Sequence, residues 1–160
     1  MEKPKRKPNR LNKYDYSSDG VYFITLCVKD MKCILADVNV GATIGRPYEI
    51  RLTPNGKYVD EAINEISKHY DTVFVDKYVV MPNHVHILLR IDRGGRPVVA
   101  PTISRVVQQM KGYITKKVGY PIWQKLFHDH VIRGEEDYLK IAEYIENNPY
   151  KWKDDCFYCE

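Results

Sequence analysis

Runs of alternating apolar and polar positions, interrupted by stretches at helical spacing, divide this chain into short extended segments and amphipathic helices. Residues 21–28, Val-Tyr-Phe-Ile-Thr-Leu-Cys-Val, are β-branched and aromatic, follow Asp19-Gly20 and end in charge, which predicts a first, central strand. Segments 33–38 and 48–53 flank a turn-rich stretch at 41–47 and predict a hairpin inserted at about 31–54. Tyr58, Val59, Ala62, Ile63 and Ile66 then take up helical spacing, with Pro54-Asn55-Gly56 as the entry and Tyr70-Asp71 near the exit. Segments 73–80 and 84–91, separated by Met81-Pro82-Asn83, predict two adjacent antiparallel strands. Ile103, Val106, Val107, Met110 and Ile114 mark a second helix, 123–132 a last strand, and 135–147 a last helix ended by Pro149. The acidic start of that helix, Glu135-Glu136-Asp137, suits its positive terminus. Strand, helix, two strands, helix, strand, helix is the order of an α+β fold with helices packed on an antiparallel sheet.

Composition narrows the class. At 160 residues and 44% hydrophobic content the chain fits one core-bearing domain. Its net charge is +4, and the basic excess gathers in an arm at 1–16 that carries Lys3, Lys5, Arg6, Lys7 and Arg10, a pattern that attracts phosphate. No apolar run approaches the about eighteen residues of a membrane span, and no signal-peptide core follows the charged start, so the expected compartment is the cytoplasm. Of the four cysteines, Cys156 and Cys159 have the spacing of half a zinc site, but no second such pair completes it. Cys27, Cys33, Cys156 and Cys159 are therefore expected as free thiols.

The candidate chemistry begins with His84 and His86. Strand alternation points both imidazoles to one face and sends Val85 into the core, so the pair can grip one metal ion if a third donor joins it. The competing reading is a buried strand whose histidines are merely satisfied, and a rival pair sits at His128 and His130. Tyr144 and Asn148, four residues apart, share a face of the last helix and would offer a nucleophile and an amide oxygen. With thirteen tyrosines in the chain, spacing alone leaves Tyr144 open to a packing role.

Taken in order, Met81-Pro-Asn-His-Val-His86, Trp123-Gln124, Phe127-His-Asp-His-Val-Ile-Arg133 and Tyr144-Ile-Glu-Asn-Asn-Pro149 resemble the single-tyrosine HUH transposases, in particular their REP-associated tyrosine transposase branch. The segments 10–17 and 20–25 are similar too. The resemblance implies a ferredoxin-like, RRM-like sheet that cuts and rejoins single-stranded DNA at hairpin-forming repeats through a 5′-phosphotyrosine. It implies Tyr144 as nucleophile and His84, His86 and Asn148 as ligands of magnesium, with manganese able to substitute; the REP-associated branch carries asparagine where insertion-sequence relatives carry glutamine. Asn83 and His130 are expected near the site, and the DNA phosphates are expected against the arm, Arg93, Arg96, Lys111, Lys116 and Lys117. Tyr16, Tyr22 and Trp123 are candidates to stack on bases. The transposase domain is expected at 17–152 with a tail at 153–160, as a monomer or a homodimer. Two other readings stay open: a domesticated binder of DNA hairpins that does not cut, and a zinc hydrolase in which His128 and His130 join His84 and His86.

Overall fold

In the computed structural model, residues 11, 13–43 and 45–159 are described, so Lys3, Lys5, Arg6, Lys7 and Arg10 lie outside the described residues. Four strands form one antiparallel sheet in the order β4 (Val73–Val80), β5 (His84–Ile91), β1 (Gly20–Cys27) and β6 (His128–Val131). A separate two-stranded sheet pairs β2 (Ala36–Thr43) with β3 (Arg46–Leu52). The helices are α1 (Pro54–His69), α2 (Ile103–Val118) and α3 (Glu135–Asn147), which makes the α+β fold read from the sequence.

Alternation decides which side of the main sheet each residue takes. Tyr22, Ile24 and Leu26 of β1 and Val85, Ile87 and Leu89 of β5 bury on one face against the apolar stripes of α1 and α2. Each such side chain removes apolar surface worth about 1.5–3 kcal/mol, so this face is the main core. α1 starts cleanly because Thr53 caps it, accepting from the Gly56 backbone N–H at 3.1 Å. Position 56 must be glycine, since any Cβ there would run into the Leu35 carbonyl.

The opposite face carries a second, smaller core. Leu88, Val79 and Met81 meet Ala142 and Ile145 of α3 and Trp152 beyond it, and the rim includes Val38, Val40 and Ile50 of the hairpin and Phe157 of the tail. The hairpin and the tail thus pack on the same side of the sheet as α3.

Three expectations need correction. Cys33 and Cys159 are joined in a disulfide with their Cα atoms 6.8 Å apart, because the tail returns across the sheet to the start of the hairpin; only Cys27, buried, and Cys156, exposed, are free. The last strand is shorter than 123–132: Trp123 bridges Val28 and His128 pairs with Thr25, so three steps along β1 face five along the incoming chain, and the excess loops out before β6. Tyr22 is fully buried and Trp123 nearly so, which leaves neither a face for a base; Tyr16 packs half-buried against Tyr14 and Tyr22.

Candidate active site

The turn between β4 and β5 sets the orientation of His84, the first of the candidate metal-binding residues. Met81 N–H donates to the His84 carbonyl at 2.9 Å, which makes the turn tight and buries Asn83 completely. The Asn83 amide donates to the carbonyls of Met31 (3.3 Å) and Phe157 (2.7 Å), so its oxygen must point the other way, to His84 Nδ1 at 2.9 Å. An amide oxygen only accepts, so Nδ1 carries the proton and Nε2 presents a lone pair. On the next strand over, Thr25 Oγ1 lies 2.9 Å from His86 Nδ1 and holds that ring in place; because a hydroxyl can accept as well as donate, the contact allows the tautomer in which His86 Nε2 presents its lone pair.

Burial drives both rings toward their neutral, metal-binding form. Desolvation pulls the His84 pKa down to about 4, against upward pushes from the Asp155 carboxylate and the Asn148 side chain. His86 falls to about 3, through burial first and the neighbouring His84 second. The two ring centroids are 4.6 Å apart.

From above, α3 contributes Tyr144 and, at its C-terminal cap, Asn148. The Tyr144 hydroxyl is 3.5 Å from His86 Nε2, and its ring sits edge-on to Phe23. Burial, followed by the Asp155 carboxylate and Cys156, raises the Tyr144 pKa above the ordinary 10, so the phenol holds its proton at neutral pH. Asn148 donates its amide to Asp155 Oδ2 at 3.0 Å. Its oxygen and His84 Nε2 are both buried with no hydrogen-bond partner.

Unpartnered acceptors are costly inside a protein, about 1–3 kcal/mol each, unless something positive completes them. Two imidazole nitrogens and an amide oxygen, all acceptors on one side of the sheet, fit a divalent cation by the chemistry of the donor set. Tyr144, Asn148, Lys140, Lys151 and Asp155 line an open cleft of about 450 Å³ that gives access from solvent.

The remaining candidates are not gathered here. His128 and His130 share the face of His86, since Thr25 pairs with both His86 and His128, but they lie on the edge strand and are exposed. His130 Nε2 is 2.9 Å from Asp137 Oδ2. Among the described residues no three His, Cys, Asp or Glu side chains come together as a metal cluster, so the four-histidine hydrolase site is not formed. Arg93 pairs with Asp19 (2.8 Å) and Arg96 with Asp71 (3.3 Å), beyond the far end of β5, roughly 25 Å along the strand from His84. Lys111, Lys116 and Lys117 ride on α2 across the sheet from Tyr144. Lys111 donates to the Gln124 carbonyl at 2.7 Å, Lys117 lies over the Tyr113 ring, and Lys116 is exposed.

Thr25, Asp155 and Phe157 were not foreseen as site residues. Thr25 had one legible signal, a polar residue inside an apolar strand. Asp155 and Phe157 had none, because the tail shows no periodicity.

No protein-family model matches the chain. An uncharacterised Haemophilus influenzae protein is 31% identical over 97% of this chain and 94% of its own length. A second protein of that organism, provisionally named a REP-associated tyrosine transposase, is 23% identical over 86% of this chain and 74% of its own. Among solved structures, a REP-associated tyrosine transposase bound to a REP hairpin superposes with a TM-score of 0.64 at 22% identity, covering 89% of this chain and 73% of that one, and thus has the same fold. No described helix is long and apolar enough to cross a membrane. With the ordered histidine, tyrosine and asparagine motifs set on that fold, the chain is similar in sequence to REP-associated tyrosine transposases and shares the fold of one of them.

Proposed function

We propose that the chain cuts and rejoins single-stranded DNA at hairpin-forming repeats, with Tyr144 as nucleophile and His84, His86 and Asn148 as the ligands of a divalent cation. The observation that carries this is the approach of the Tyr144 hydroxyl to His86, 3.5 Å, beside two buried acceptors that have no partner. A magnesium ion held there, or manganese in its place, would supply positive charge against the charge that develops on the scissile phosphate. The Tyr144 oxygen forms a bond to phosphorus as the bond to the 3′ oxygen breaks; the phenol gives up its proton and the departing oxygen takes one up. Tyr144 is then esterified to a 5′ phosphate. An incoming 3′ hydroxyl reverses the step and rejoins DNA without another energy source, because the phosphoester stays intact on the enzyme.

The solved relative holds a REP hairpin, and a cleft of about 450 Å³, open to solvent, lies beside Tyr144 in this chain. The loop arginines Arg93 and Arg96, at the opposite end of β5, are assigned to DNA phosphates away from the cut, and the basic arm at 1–16 to DNA phosphates by its charge alone. Such a substrate belongs to the cytoplasm.

The test is a denaturing gel of labelled hairpins from the gene's own flanks incubated with the protein and magnesium or manganese. A covalent protein–DNA band that requires metal and disappears in Tyr144→Phe is the expected result. A band that persists in Tyr144→Phe assigns the nucleophile elsewhere, and hairpin binding without a band under either metal supports a non-cleaving binder.

A further inference from the structure

The amide of Asn148 is the weakest point of the proposed ligand set. An imidazole is fixed by its ring and its tautomer, but a carboxamide turned by half a rotation offers N–H where the oxygen stood, and N–H repels a cation. Some neighbour must choose between the two orientations. We infer that Asp155 makes that choice: carried on the C-terminal tail, it is the positioning residue that holds the Asn148 oxygen toward the imidazoles, so the tail is a working part of the site. The inference rests on the reading of His84, His86 and Asn148 as metal ligands.

Asp155 is suited to the task because it must accept twice. Oδ2 takes the Asn148 amide at 3.0 Å, and Oδ1 takes the backbone N–H of Phe157 at 2.8 Å. Only a carboxylate has an acceptor on each arm. With both arms engaged, the Asn148 amide nitrogen is drawn to Asp155, and its oxygen is left buried, unpartnered and turned away. The tail itself is fastened on three sides. Trp152 is buried in the second core, the Phe157 carbonyl receives the Asn83 amide at 2.7 Å, and Cys159 is bonded to Cys33. Phe157 also lies against His84, ring centroids 4.8 Å apart. One short segment therefore reaches two of the three ligands: through Asn83 it supports the tautomer of His84, and through Asp155 it orients Asn148.

Placing asparagine at 155 keeps the size of the side chain but gives it only one acceptor. If that oxygen keeps the Phe157 N–H, the new amide faces Asn148 as a donor and pulls the Asn148 oxygen out of the site. The isosteric change is thus expected to harm the site through orientation, and the harm depends on residue 148 being an amide. In an Asn148→Asp background either oxygen serves the ion and nothing is left to orient.

The experiment titrates the full metal-free chain with manganese and follows the free ion by electron paramagnetic resonance, with no DNA present. Asp155→Asn is expected to weaken manganese binding at least tenfold, the scale of an outer-sphere partner of a ligand. The same change in the Asn148→Asp background is expected to shift affinity less than threefold. Equal losses in both backgrounds overturn the inference, because they would mean that Asp155 acts through its charge or through anchoring the tail. Binding that is lost in His84→Ala yet unchanged in Asp155→Asn also overturns it while leaving the metal reading intact. Binding that is absent from the wild type, or unaffected by His84→Ala, overturns the metal reading and this inference together.

Discussion

Two histidine pairs with the same spacing lie on the same face of the same sheet, and they are opposites in every physical respect. His84 and His86 open β5, an inner strand roofed by α3 and the tail, and are almost wholly buried, each with Nδ1 held by a neighbour's oxygen. His128 and His130 lie on β6, the edge strand, and are exposed; His130 is tied to Asp137 at the start of α3. Spacing on a strand makes a metal site conceivable, but strand position decides it. An inner strand under a roof removes water from both rings and holds them neutral, whereas an edge strand leaves them to solvent.

The sharpest way to break the comparison is to remove one pair and then the other. His84→Ala or His86→Ala is expected to lower manganese affinity, and with it the covalent adduct, by at least 100-fold, while His128→Ala and His130→Ala change affinity by less than threefold. Titration of metal-free variants with manganese checks this, and a large loss at His128 would show that the edge pair reaches the ion.

Acid offers a second contrast, of a few kcal/mol. In the unfolded chain both histidines titrate near 6.5, but in the folded chain His84 has fallen to about 4 and His86 to about 3. The unfolded state therefore takes up protons first: the contribution to stability is complete above about pH 6.5 and is lost as pH falls toward 4 and then 3. At about 1.4 kcal/mol per unit for each ring, the metal-free protein is expected to lose roughly 3 kcal/mol between pH 6.5 and 5. Urea unfolding at the two pH values measures it. His86→Phe should remove about half of the loss, and His130→Ala should leave it unchanged.

The strands and helices were legible because their burial is one-sided. The 73–80 and 84–91 runs became β4 and β5 residue for residue, and four-residue spacing placed Tyr144 and Asn148 on one side of α3. Trp123 misled because its apolar bulk reads as strand, although the chain around it spends two extra residues in a bulge beside β1. Contacts between segments far apart in sequence left no local trace. The Cys33–Cys159 bond spans 126 residues, and Asp155 reaches Asn148 from a tail without periodicity. Nor did the sequence say which histidine pair lies under a roof, since that depends on where α3 and the tail come to rest.

If the tail is the roof, loosening it should blur the contrast by several-fold. Diethyl pyrocarbonate, which acylates accessible neutral imidazoles, is expected to modify His128 readily and His84 hardly at all in the wild type. Cys159→Ser frees the tail end, and the rate at His84, followed by mass spectrometry of peptides, should rise several-fold while His128 keeps its rate. An unchanged His84 rate would mean that Trp152 and the Phe157 carbonyl hold the roof without the disulfide.

The smallest effect concerns the tie that keeps the edge pair in place. Asp137 Oδ2 accepts from the Arg133 backbone N–H at 3.0 Å and lies 2.9 Å from His130 Nε2, and these two contacts, the backbone one first, hold its carboxyl below its ordinary 3.8. A depressed carboxyl stabilises the fold above about pH 4 and ceases to do so as pH falls below that, in a window that begins where most of the loss from the buried pair is already complete. Asp137 sits in the first turn of α3, where its negative charge also faces the positive end of the helix dipole. Asp137→Asn retains an oxygen for the Arg133 N–H but gives up the charge, so the cost at pH 7 should be small and should diminish further below pH 4. Thermal unfolding at pH 7 and pH 3.5 checks it. A large loss at pH 7 would mean that the edge strand, and not the roof, holds α3 over the site.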